Sequence, residues 1–154
     1  MKKTKKLSRK ILSCLLAMLI LASTMLLAGC QNDPLVNNKP LVIKDSDTYI
    51  VIKTTQEAIG GKEDMLLIEY MQMLKEDGQL EFEVENGMIT SINGIENPAD
   101  FSSCWMLYTS DETLSNAGWG VVEYEGKQYG SAVSGAETLQ IKADQLYIWV
   151  YKSF

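Results

Sequence analysis

The sequence contains no histidine. That removes the side chain most often used near neutral pH as a general base or metal ligand, and with it every Ser-His or Cys-His nucleophile pair. Cysteine is scarce, occurring only as Cys14, Cys30 and Cys104. There is no phosphate-cradling glycine loop, no dinucleotide fingerprint and no internal repeat. Asp45-Ser46-Asp47 and Asp111-Glu112 are the acidic loop candidates for Ca²⁺, but neither follows an EF-hand spacing. Catalytic residues, metal ligands and a resident cofactor are therefore all expected to be absent, and the protein is not expected to be an enzyme.

What is present begins with a cationic head, Lys2, Lys3, Lys5, Lys6, Arg9 and Lys10, followed by an uncharged run over 11–28. This is the secretory signal pattern. The run is slightly longer than a typical signal core, so an uncleaved membrane helix is the alternative. It ends in Leu27-Ala28-Gly29-Cys30, which resembles a bacterial lipobox. The resemblance implies cleavage between Gly29 and Cys30 and a thioether from Cys30 to diacylglycerol. Two acyl chains at ~0.8 kcal/mol per buried methylene hold a protein stably on a bilayer, whereas one chain holds it marginally. A plain secretion signal that ends near a cysteine is the competing reading.

Removing residues 1–29 changes the electrostatics. The whole chain carries 14 Lys and Arg against 20 Asp and Glu. Six of the cations and none of the acids precede Cys30, which leaves eight cations against 20 acids and a net charge of −12. Such a domain does not bind nucleic-acid phosphates and is repelled by anionic headgroups, so the membrane partner is reached through the anchor. Cys14 leaves with the signal and Cys30 carries lipid. Cys104 is then unpaired, and the domain must rest on its hydrophobic core. About 110 residues suffice for one core.

Residues 30–46 read as the lipidated cysteine and a polar tether, and residues 47–154 as the domain. The tether stretch 31–40 reaches at most ~35 Å fully extended. Tyr49 to Thr54 is β-branched and aromatic, hence a strand. Residues 65–76 lack Gly and Pro, and Leu67, Met71 and Leu74 form one apolar stripe at i, i+4 and i+7, the mark of a helix. Residues 80–85 alternate strictly, Asn86-Gly87 is a type I′ hairpin signal, and 88–92 is the return strand. Asn93-Gly94 turns the chain again. Residues 104–109 are apolar on both faces, as in a central strand, and 110–120 read as a polar loop displaying Trp119. Residues 121–124 and 128–133 flank Glu125-Gly126 as another hairpin, and 138–141 is a short stretch. Residues 146–151 form the last strand, with Leu146, Ile148 and Val150 on one face and Tyr147, Trp149 and Tyr151 on the other.

The helix with Leu67, Met71 and Leu74, the Gly87-to-Gly94 stretch, Trp105-Met106-Leu107-Tyr108 and Tyr147-Ile148-Trp149-Val150-Tyr151 together resemble the domain of unknown function DUF4430. That domain is similar to the C-terminal β-domain of transcobalamin and intrinsic factor. The resemblance implies a small single α+β domain, one helix packed on antiparallel β-strands and hairpins, and export to the cell surface. It also brings a corrinoid into view as a ligand. The chain departs from the family pattern in two turns, carrying Ser110-Asp111 and Ala143-Asp144 where Asn-Gly and Gly-Asp are usual.

Glu81, Glu83 and Glu85 share a strand face at roughly 7 Å spacing, which alternation alone explains as a solvated face. Cys104 lies in an apolar strand without a base and reads as a buried, inert thiol. The aromatics remain as the chemical signal. Trp105, Tyr108, Trp119, Tyr147, Trp149 and Tyr151 are candidates for ligand binding, because flat rings with polar tips suit corrinoids, sugars or peptides. The competing reading places the same rings in the core. The expected role is a lipid-anchored, extracytoplasmic, non-enzymatic module that binds a small flat ligand, with adhesion to a protein or glycan as the alternative.

Overall fold

The computed structural model describes residues 41–154 apart from 63. Gly29, Cys30 and the tether up to 40 lie outside the described residues, and so does the signal segment. Among the described residues, no helix is long and apolar enough to cross a membrane.

Among the described residues, nine strands and one main helix make a mostly antiparallel β domain. In chain order the elements are β1 (Leu41–Ser46), β2 (Tyr49–Lys53), the short α1 (Gln56–Ile59), α2 (Leu67–Glu76), β3 (Phe82–Glu85), β4 (Met88–Ile92), β5 (Ile95–Glu96) and β6 (Ser103–Thr109). After a 3-10 turn (Glu112–Leu114) come β7 (Ser115–Tyr124), β8 (Lys127–Ala132) and β9 (Leu146–Ser153). The larger sheet has the order β1-β2-β9-β6-β8-β7, and the smaller one β3-β4-β5. β6 is central, as its two apolar faces predict, with β9 on one side and β8 on the other.

Two expectations are corrected. The tether does not run to residue 46: its last six residues are the edge strand β1, paired with β2 from Leu41↔Lys53 to Ser46↔Tyr49 with a register shift between Val42 and Lys44. Edge strands tolerate charge, so Lys44 and Asp45 are compatible with a ladder position that reads from sequence as linker. The polar loop 110–120 is largely β7, because Ser115 and Asn116 pair through their backbones with Ala132 and Ser131. In the short stretch 138–141, Gln140 makes an isolated bridge to Leu66 while Leu139 and Ile141 are buried.

α2 starts later than its periodicity predicts. Leu66 is the N-cap, its N–H donating to Glu69 Oε2 at 2.8 Å, so an acidic side chain satisfies an end group of the helix. Its stripe Leu67, Tyr70, Met71 and Leu74 is fully buried. The stripe lies against one face of the large sheet, where Ile50, Ile52, Trp105, Leu107, Tyr147 and Trp149 join it in one core. α1 is too short for a periodic stripe; it is held by Thr55, whose Oγ1 accepts from the Ala58 N–H at 3.1 Å. Asn86-Gly87 and Asn93-Gly94 all have positive φ, from 48° to 82°, as type I′ turns require.

The other face of the large sheet carries Val51, Tyr108, Val122 and Ile148. β7 and β8 cover it. β8 pairs with β6 at only two positions, Tyr108↔Ser131 and Thr109↔Gly130, and then bends away. The β7–β8 hairpin reaches β2 across the sheet, where the Tyr49 hydroxyl donates to Glu123 O at 2.8 Å and the Tyr49 and Tyr124 rings stack at 6.4 Å. A strongly coiled sheet is required to bring strands so far apart in order into contact.

Candidate functional site

The parting of β8 from β6 leaves a cleft of about 260 Å³ on the core side of the sheet. Trp105 and Leu107 of β6, Trp149 of β9 and Trp119 of β7 line it, together with the β3–β4 turn at Gly87-Met88 and the loop at Gly135-Ala136. The chain has three tryptophans, and all three are here.

Each indole is placed by a different device. Trp105 is pinned: its Nε1 donates to Ile95 O at 2.8 Å, its backbone N–H donates to Asn97 Oδ1 at 3.0 Å, and its ring tilts against Tyr151 at 5.4 Å. Trp149 stands in register between Leu107 of β6 and Ile50 of β2 and is 4% exposed. Its Nε1 is buried and has no hydrogen-bond partner among the described residues. An indole N–H left so loses about 1–3 kcal/mol of solvation without return. The Oγ of Ser131 is also buried and without a partner among the described residues, but it lies on the far face of the sheet with Tyr108, its partner in register.

Trp119 is set by a bulge. The β7–β8 register jumps from Asn116↔Ser131 to Val121↔Gly130, so Ala117 to Gly120 arch out of the ladder. Asn116 Oδ1 takes the Gly118 N–H at 2.9 Å and closes the arch. Gly130 lies directly beneath: a Cβ there would stand 2.9 Å from Ala117 N and 3.1 Å from Asn116 C. Only a glycine admits so close an approach of backbone. The arch leaves Trp119 63% exposed, as its polar neighbourhood predicts. Met88, another lining residue, is also exposed, which gives the cleft an apolar rim.

The other predicted ligand residues go elsewhere. Tyr108 is buried on the opposite face of the sheet, with the Lys152 Nζ 4.7 Å from its ring centroid. Tyr147 is fully buried beneath the helical layer, and its hydroxyl accepts from the Lys142 N–H at 3.1 Å. Burial pushes the Tyr147 phenol up to about 12, with the Asp111 charge acting in the same direction. Tyr151 is half-buried, donates to Glu96 O at 2.9 Å and supports Trp105 from outside the cleft. The face of β9 that carries Tyr147, Trp149 and Tyr151 is thus mainly core, since α2 and the small sheet cover it. Sequence reasoning missed Met88, Leu107 and Gly135-Ala136. The Asn-Gly turn marks the first; nothing local marks the last pair.

Glu81, Glu83 and Glu85 are exposed, and Glu81 pairs with Lys75 at 3.2 Å. Cys104 is half-buried rather than buried, its thiol 3.6 Å from the Met106 sulfur and pushed up by desolvation. Asp111 is 5% exposed. Burial works to raise its carboxyl, but hydrogen bonds from Lys142 and from the Thr113 hydroxyl and N–H, with the Lys142 charge, outweigh it and hold the group below its ordinary value. Lys142 Nζ lies 2.7 Å from Asp111 Oδ2. Among the described residues, no group of three or more Cys, Asp or Glu is placed to hold a metal ion. A larger open groove of about 570 Å³ follows α2, lined by Met65, Ile68, Met73, Phe82 and Val84. It holds no tryptophan and none of the unpartnered buried polar atoms. Comparison with protein-family models, with curated proteins and with solved structures finds no match for this chain.

Proposed function

We propose that the protein is a non-enzymatic binding module, lipid-anchored through Cys30 on the extracytoplasmic face of the membrane, and that it recognises its ligand in the tryptophan cleft. The observation that carries this reading is the convergence of Trp105, Trp119 and Trp149 from three separate strands on one open cleft. Indoles on rigid strands offer flat apolar surface with little rotamer entropy to lose. The lipobox supports the anchor, and the −12 charge makes covalent lipid the means of membrane attachment.

The likeness to DUF4430 and the cobalamin carriers belongs to the same proposal and concerns ancestry of the fold. As to ligand, about 260 Å³ lies below the ~300–1,000 Å³ of pockets that enclose a drug-sized molecule. One aromatic side chain or one sugar ring fits. A corrinoid would meet the cleft by an edge.

Saturation-transfer NMR on the detergent-solubilised full chain tests this with three probe classes: cobinamide, chitohexaose and capped peptides carrying one aromatic residue. Transfer to at least one probe, lost in Trp119→Ala, is expected. No transfer to any of them would sink the binding reading. Mass spectrometry of the mature N-terminus tests the anchor independently, and an unmodified Cys30 would refute it.

A further inference from the structure

We propose that the tryptophan cleft is a socket for one aromatic side chain, presented beside Lys or Arg by an extended segment of an exported partner protein. This rests on the reading of the cleft as the binding site, and it names the partner.

Three features of the cleft select this occupant. The hole is small but its rim is open and apolar: Met88 is 50% exposed and Trp119 63%. A free ring in the hole would leave that rim wet, whereas a protein partner covers both, in the manner of an anchor residue ringed by weaker contacts. The buried Trp149 N–H lacks an acceptor among the described residues. A peptide C=O beside the inserted side chain is the acceptor this N–H needs; a hydrocarbon chain offers none.

The charge around the hole sets the flanking residues. None of the residues lining the cleft is cationic. Glu137 stands at its edge, with Oε2 3.1 Å from the position a Cβ on Gly87 would take. Glu85 pairs in register with Met88 on the same hairpin. These carboxylates sit on a domain of net charge −12, so a cationic segment is drawn in and an acidic one is turned away. The same field works against anionic lipid as the occupant.

The test uses the full chain in uncharged detergent and reads its tryptophan emission, which comes only from residues lining the cleft. Capped tripeptides Lys-Phe-Lys, Glu-Phe-Glu and Lys-Ala-Lys are titrated at low and at high salt. Lys-Phe-Lys is expected to shift the emission saturably and to bind about tenfold tighter than Glu-Phe-Glu, a gap that closes with salt. Lys-Ala-Lys is expected to leave the emission unchanged. Trp119→Ala weakens Lys-Phe-Lys about tenfold, and Glu137→Gln narrows the charge preference while the protein stays folded. Equal affinity across the charge series, or binding of Lys-Ala-Lys, overturns the proposal. Binding of cobinamide or chitohexaose with none of the tripeptides also overturns it, but leaves the cleft as a binding site. Failure of every probe overturns both.

Discussion

Gly130→Ala tests whether the bulge that carries Trp119 is held by close backbone packing. The added methyl would lie 2.9 Å from Ala117 N, 3.1 Å from Asn116 C and 3.2 Å from Ser115 Cβ. Two of the three neighbours are backbone atoms, which cannot swing aside as a side-chain tip does. Overpacking of this kind costs about 1–3 kcal/mol. Gly130 has no positive φ, so alanine also removes unfolded-state freedom and returns about 0.4–1 kcal/mol. The net expectation is a loss of ~1–2 kcal/mol, with the bulge pushed outward and Trp119 emission shifted. Urea unfolding of the full chain followed by tryptophan emission reads both quantities. Gly118→Ala is the control, because its Cβ would meet only the Asn116 Oδ1 at 3.1 Å, a side-chain tip free to move. That variant should stay within about 0.5 kcal/mol of the parent. An unchanged or raised midpoint for Gly130→Ala, with unshifted emission, would refute the packing argument.

Other perturbations have equally definite outcomes. Tyr147 is raised from 10.0 to about 12, so its stabilising contribution is complete below pH 10 and is lost as pH rises towards 12. Urea midpoints across that range should fall, and less steeply in Tyr147→Phe. Asp111 lies below its ordinary 3.8, so its contribution is present above that pH and is lost as pH falls through the folded value. Lys142→Met leaves the buried carboxylate with Thr113 alone, and should cost about 1–2 kcal/mol at neutral pH while moving acid unfolding to higher pH. Trp119→Ala should alter stability by no more than about 0.5 kcal/mol, since the ring is mostly exposed; a large loss in thermal melting would place that ring in the core instead.

Much of the scaffold was legible because its signals are local. Asn86-Gly87 and Asn93-Gly94 specify their turns through backbone preference at two adjacent residues, and both turns form. The stripe Leu67, Met71 and Leu74 marks the buried face of α2, and Tyr70 joins it. What was lost depends on pairing between distant segments. β1 and the start of β7 are edge strands joined through backbone hydrogen bonds, which leave little trace in side-chain pattern. The faces of β9 posed a different problem. Leu146, Ile148 and Val150 are as apolar as Tyr147, Trp149 and Tyr151, so alternation could not say which set meets the helix. The structure buries both, one under α2 and the small sheet, the other under the curled hairpin.

The cleft depends on small residues as much as on aromatic ones, which is why a search for rings recovers only half of it. Tryptophans on β6 and β9 would ordinarily be covered by equally large neighbours from the next strand. Here the neighbouring segments contribute Ala132, Gly135 and Ala136, whose side chains are too short to fill the gap where β8 leaves β6. Gly130 lets the β7 bulge pass close overhead, and that passage carries the third indole to the rim. Dense aromatics alone would have been consistent with a closed core, and for Tyr108 and Tyr147 they are one. A hole remains only where large residues face small ones across a splayed ladder. The positions most telling for recognition are therefore 130, 132, 135 and 136, where a bulkier side chain would fill the space the ligand needs.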